Sequence, residues 1–119
     1  MNPVIGLSLG RVAVGSAALV NPDLAARMLQ LDTASNPQVT YTLRLFGSRE
    51  VALGVVTLFA RGRAQRGVIG VGVLVDAADA ATAYLAMQDG SVSRKGAMAM
   101  IGPATGAVAS GVLALLRRG

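Results

Sequence analysis

Six ionisable side chains sit inside stretches that are otherwise apolar: Arg11, Arg44, Arg49, Glu50, Asp76 and Asp79. Carboxylates held beside arginines away from water can do three things. They can clamp elements together, pass a proton, or hold a cation or polar headgroup. Asp76 and Asp79 stand three residues apart, so on a helix they share one face. Two close carboxylates in a dry site do not both ionise cheaply, so an arginine must lie between them or one must keep a proton. Arg11, with its planar two-pronged guanidinium, is the natural clamp. The chain has no Cys and no His. That removes thiol catalysis, Cys/His zinc sites, histidine- or cysteine-held haem and the commonest general base. No metal, no cofactor and no enzymatic activity are expected.

The elements that carry these residues read as membrane spans. Residues 96–116 hold no charge and end at Arg117 and Arg118. At about 1.5 Å per residue such a run crosses a hydrocarbon core of about 30 Å. Residues 67–87 are equally apolar apart from Asp76 and Asp79, and residues 3–20 apart from Arg11. Residues 41–60 form the fourth span, which takes in Arg44, Arg49 and Glu50. The alternatives are a soluble Ala/Gly-rich bundle, which the long uncharged run opposes, and a cleaved leader at the N-terminus, which lacks a nearby A-x-A site. The expected fold is therefore all-α, one domain over residues 1–119. It is an up-down bundle of four transmembrane helices with a short interfacial helix between the first and second.

Asn21-Pro22-Asp23 stops the first span and caps that short helix, with Pro22 at its first position. There Leu24, Met28 and Leu31 form an apolar stripe opposite Arg27 and Gln30. Residues 33–40 read as loop, 61–66 as a short basic turn and 88–95 as a polar turn. Such short connections force neighbouring spans antiparallel.

Helical rise places the charges in one layer. Arg11 lies about 12 Å below the face where its span starts, Asp76 about 13–14 Å, Glu50 about 15 Å and Asp79 about 18 Å, with Arg49 beside Glu50 and Arg44 near the interface. A single Arg or Asp at a helix centre costs about 2.5–3.5 kcal/mol. Unpaired, five of them would cost more than about ten kcal/mol, comparable to the stability of a whole domain. So Arg11 and Arg49 must face Glu50, Asp76 and Asp79 inside the bundle. Whether that network is structural or an ion, proton or ligand site stays open on the residues alone.

Small residues are spaced for close helix packing: Gly15 on the first span, Gly47 and Gly54 on the second, and Gly102, Gly106 and Ser110 at four-residue intervals on the fourth. Pro103 is placed to kink that last span. Residues 11–15 (RVAVG) and 50–54 (EVALG) are weakly self-similar, as shared Ala/Gly/Val composition produces.

The net charge of +5 does not point to nucleic acid. The basic residues sit in short turns beside apolar runs, and stacking aromatics are scarce. Attraction to lipid headgroups and control of topology explain them, and the partner is the bilayer. Arg61, Arg63, Arg66, Arg117 and Arg118 fall on one face; Arg27, Arg94 and Lys95 fall on the other, joined by Arg44 if it reaches outward. The bias puts both termini in the cytoplasm by a thin margin that leaves an antiparallel, dual-topology dimer open. Arginine outnumbers lysine ten to one in an Ala/Gly/Val-rich chain, as a bacterial genome rich in G and C gives, and the location expected is a bacterial inner membrane.

The run Arg44-Leu-Phe-Gly-Ser-Arg49-Glu50, then Leu53-Gly54 and Asp76-Ala-Ala-Asp79 downstream, resembles an uncharacterised family of small four-helix bacterial membrane proteins, a domain of unknown function. Arg11 with Gly15, and Pro22 after the first span, fit the same pattern. The resemblance implies four membrane helices and brings no activity, ligand or catalytic residue. A non-enzymatic accessory, scaffold or assembly subunit, forming a homo-oligomer or joining a larger membrane complex, is the expected role. A small proton- or ion-coupled transporter using the intramembrane carboxylates is the alternative.

Overall fold

A computed structural model describes residues 3–118. Among the described residues there are five α-helices and no strand: α1 (Pro3–Val20), α2 (Pro22–Met28), α3 (Gln38–Phe59), α4 (Gly62–Gln88) and α5 (Arg94–Arg118). The helices form two close pairs, α1 with α3 and α4 with α5. Contacts of α1 with α5 and of α3 with α4 join the pairs.

Glycine decides the first pairing. A Cβ at Gly15 would lie 2.5 Å from the Gly47 carbonyl oxygen, one at Gly47 would lie 2.6 Å from that of Gly15, and one at Gly54 would lie 2.7 Å from that of Ser8. These are backbone-to-backbone approaches that no side chain fits, as small-residue helix interfaces require. Gly15 meets Gly47 and Ser8 meets Gly54, so the two helices run antiparallel. The α4/α5 pair closes around Gly111, which packs on Val73, while Val4, Ile69 and Ala114 form the buried apolar cluster at that end.

The expected packing stripe on the last helix is not used inside the chain. A Cβ at Gly102 or Gly106 would meet nothing within 4 Å, and Ser110 lines a cavity. Gly111, one residue beyond the predicted stripe, makes the contact instead. Pro103 lies within α5, and the helix continues through it.

The connections differ from the sequence reading in two places. Residues 62–66 are not a turn but the start of α4, which follows the extended Arg61 and is entered through Gly62 in the left-handed region at φ +57°. Gln65 is buried there and donates to the Thr57 carbonyl at 3.3 Å, and Arg66 donates to that of Leu115 at 3.0 Å. The loop after α2 also lies earlier than expected, over 29–37 rather than 33–40, because α2 ends at Met28 and α3 begins at Gln38. Before it, Asp32 accepts from the Ala34 and Ser35 amides at 3.0 and 3.2 Å and from the Ser35 hydroxyl at 2.7 Å. This turn holds the Asp32 carboxyl below its usual range, through the Ser35 hydroxyl first and the Ser35 amide next.

Asn21 caps α2 as expected: its side-chain oxygen accepts from the Leu24 amide at 3.2 Å, with Pro22 in the first turn. Pro22 and Ala26 are buried and seat this helix, whereas Leu24 and Met28 of the apolar stripe are exposed. The short helix turns away from α1 by 109°.

Two helices, Gly62–Gln88 and Arg94–Arg117, are long and apolar enough to cross a membrane. The bent pair α1 and α2 makes a third if it counts as one span. α3 is not among them, and with Arg44, Arg49 and Glu50 it is the most charged of the four long helices near its middle. Two to three such helices are consistent with a membrane protein.

Candidate functional site

Five of the six predicted residues meet in one chain of alternating charge. Arg11 donates through Nη1 to Glu50 Oε2 at 2.9 Å and to Asp76 Oδ1 at 3.0 Å, and through Nη2 to Asp76 Oδ2. Arg49 donates through Nη2 to the other Glu50 oxygen at 3.2 Å and to Asp79 Oδ2 at 2.7 Å. The order is Asp76, Arg11, Glu50, Arg49, Asp79, and Glu50 is the hub because each of its oxygens takes a different arginine.

Each helix contributes for a local reason. Arg11 lies between Ser8 and Gly15 on the face of α1 that packs against α3, so the backbone contact at Gly54 carries it towards Glu50. Its guanidinium then crosses to α4, where Gly72 leaves room: a Cβ there would lie 2.8 Å from Nη2. One turn further on comes Asp76, on the same face.

The arginine between Asp76 and Asp79 that their spacing suggested is not there. Arg11 joins Glu50 and Asp76, and Asp79 belongs to Arg49. One helix face carries both aspartates, yet α1 reaches only the first of them. The two ends of the chain also differ in environment. Arg11, Glu50 and Asp76 are 5, 5 and 4% exposed, while the Arg49 and Asp79 side chains are 40 and 21% exposed. Arg49 lies over the Phe46 ring, 5.1 Å from its centroid. Arg44 stands apart from the network and donates through Nε to the Leu19 carbonyl at 3.3 Å, which satisfies an oxygen at the C-terminal end of α1.

Two cavities reach the carboxylates of the network. One, of about 260 Å³, lies between α1 and α5 and is lined by Arg11, Glu50, Asp76 and Asp79 among apolar groups such as Val14 and Pro103. The other, of about 220 Å³, is lined by Leu29, Leu31, Ala83, Ala86 and Val92 and ends at Asp79. Phe46, Asp79 and Met100 line both. The three carboxylates place ligand oxygens within 4.8 Å of one another, but Arg11 already occupies Asp76 and one oxygen of Glu50, so the arrangement serves a guanidinium rather than a metal ion.

Sequence reasoning missed Phe46, Met100 and Gly72. Gly72 was readable in principle, since it precedes Asp76 by four residues and must share its face. Phe46 and Met100 were not, because apolar residues in apolar runs carry no signal of what they line. The chain matches no protein-family model, no curated protein and no solved structure.

Proposed function

We propose that the chain is a four-span, up-down helical bundle of the bacterial inner membrane. In this reading it is a non-enzymatic accessory or assembly subunit whose helices are held in register by the alternating charge chain. One observation carries this reading: polarity is inverted. Ser8, Arg11, Glu50, Thr57, Gln65 and Asp76 are buried, whereas Phe59 and Leu74 are 70 and 71% exposed. A water-soluble bundle favours the reverse, and a hydrocarbon solvent favours burying the charges and turning large apolar groups outward. It also accounts for α3 as the fourth span, because its charges are spent against α1 and α4 rather than offered to lipid. The open glycines on α5 supply a face for a second copy or a larger complex. Affinity purification from native membranes tests the role: a stoichiometric partner or a homo-oligomer is expected, and a chain that purifies alone as a monomer contradicts it.

The cavities favour a second reading, a small cation-coupled transporter. They bring space to Asp79, the carboxylate that Arg11 does not neutralise. In liposomes the purified protein would then dissipate an imposed cation or proton gradient, and Asp79→Asn would abolish the flux. No flux under any gradient contradicts it.

A further inference from the structure

The charge chain is uneven: three carboxylates face two arginines, so with every group ionised it carries one negative charge in excess. Its placement is uneven as well. Arg49 reaches Asp79 from the α3/α4 side, where it borders a separate hollow with Leu53 and Val68, and lines neither of the two cavities described above. Towards those cavities the charged lining is Arg11 against Glu50, Asp76 and Asp79. Both Asp76 oxygens and both Glu50 oxygens are engaged, whereas Asp79 accepts through Oδ2 alone among the described residues. Asp79 thus has a free oxygen, partial exposure and a place in the wall of both cavities. Apart from Thr82 and Ser110, the uncharged walls on either side of it are apolar: Leu31, Ala83, Ala86 and Val92 towards the α2 end, and Val14, Pro103 and Ala107 towards the middle of α1 and α5.

From this we propose that the two cavities, joined at Phe46, Asp79 and Met100, form one binding site for a lipophilic ammonium cation. The ammonium head sits at the free oxygen of Asp79, and the alkyl chain lies along Ala83, Ala86 and Leu31. Charge complementarity selects this occupant. An acyl chain or a helix of a second copy would fill the apolar walls but leave the excess carboxylate uncompensated, at the cost of an unpaired charge near the middle of a span. An anion would add to it. A small hydrated cation would satisfy Asp79 but not the apolar walls. A cation with an apolar tail satisfies both, as ligand sites with few polar groups in apolar pockets do. The inference rests on the second reading's use of Asp79 as a ligand group, and not on transport.

Hexyltrimethylammonium, with hexanol and hexanesulfonate as tail-matched controls, tests the site by calorimetric titration of the full chain in phosphatidylcholine nanodiscs. The expected result is saturable binding of the cation alone, weakened about tenfold or more by Asp79→Asn, the scale of one partly desolvated ion pair. Ala83→Leu, which fills the cavity and leaves every charge in place, should weaken it similarly. It carries the test if Asp79→Asn does not fold. The site is overturned if the folded protein shows no saturable binding, if hexanol or hexanesulfonate binds as tightly as the cation, or if Ala83→Leu binds unchanged. Binding without flux in liposomes removes the transport reading and leaves the site standing; flux without binding does the opposite.

Discussion

Arg11 is the residue on which most of the interior depends. It carries three of the hydrogen bonds in the charge chain and is the link between α1, α3 and α4. Removing it leaves Glu50 and Asp76 buried side by side with nothing between them. Breaking a buried pair in this way costs about 3–5 kcal/mol, whereas replacing all members by apolar groups of similar volume is far milder. Arg11→Leu should therefore lower the thermal unfolding temperature in detergent sharply, and Arg49→Leu, at the wetter end, by less. Replacing Arg11, Glu50 and Asp76 together by apolar residues should recover much of the loss. If Arg11→Leu melts with the wild type, Arg11 is not the clamp. Outside the helices, Asp32 gives a simpler test. Its carboxyl titrates below the usual range because the Ser35 hydroxyl and amide hold the charged form. A depressed folded-state pKa stabilises the turn above the unfolded value, and that contribution is lost as pH falls through the folded value. Carbonyl chemical shifts should show the Asp32 midpoint moving up towards the ordinary carboxylate value in Ser35→Ala; an unchanged midpoint contradicts the assignment.

At the scale of the helices, glycine rather than charge sets which faces meet. The contacts of Gly15 with Gly47 and of Gly54 with Ser8 fix the rotation of α1 against α3, and only then does Arg11 reach Glu50. Gly15→Ala should destabilise by about 1–3 kcal/mol, the usual cost of overpacking a close contact, because the added methyl points at backbone that has nowhere to go. Gly102→Ala meets open space and should leave the monomer's unfolding unchanged; unequal effects in the reverse order would overturn this account of the packing. The same contacts mark what could be read from the residues alone. A charge in a long apolar run is a rare event, so Arg11, Glu50, Asp76 and Asp79 announce themselves, as do Asn21-Pro22 and the bounds of the first helix. Partner choice does not, because it depends on helix rotation. Asp76 and Asp79 share a face at any rotation, but which of them meets Arg11 depends on glycine contacts with a different helix. The stripe at Gly102, Gly106 and Ser110 fails for the same reason: spacing shows that a face can pack closely, not that this chain supplies what packs there. The stretch 61–66 was misread because basic residues at a helix start look like a turn when Gly62 stands among them.

The whole molecule is about 47 Å long and 21–28 Å across, long enough for its helices to span a hydrocarbon core of about 30 Å with ends in the headgroups. Its charges separate into two sets. Arg11, Arg44 and Arg49 against Glu50, Asp76 and Asp79 sum to zero, so the net +5 of the chain arises in the connections and at the ends of the helices. Arg44 stands outside the network, which keeps one carboxylate in excess, and a basic rim is what insertion with a defined topology requires. Because the chain contains no cysteine, single introduced cysteines report sidedness without background, and their labelling by a membrane-impermeant maleimide in intact and permeabilised cells is the most direct test. Ser35→Cys and Ser91→Cys should react from the outer side of the membrane, while Arg63→Cys and Arg117→Cys should react only after permeabilisation. Labelling of all four from one side, or extraction of the protein from membranes by alkaline carbonate, would contradict a four-span bundle with its charge chain inside.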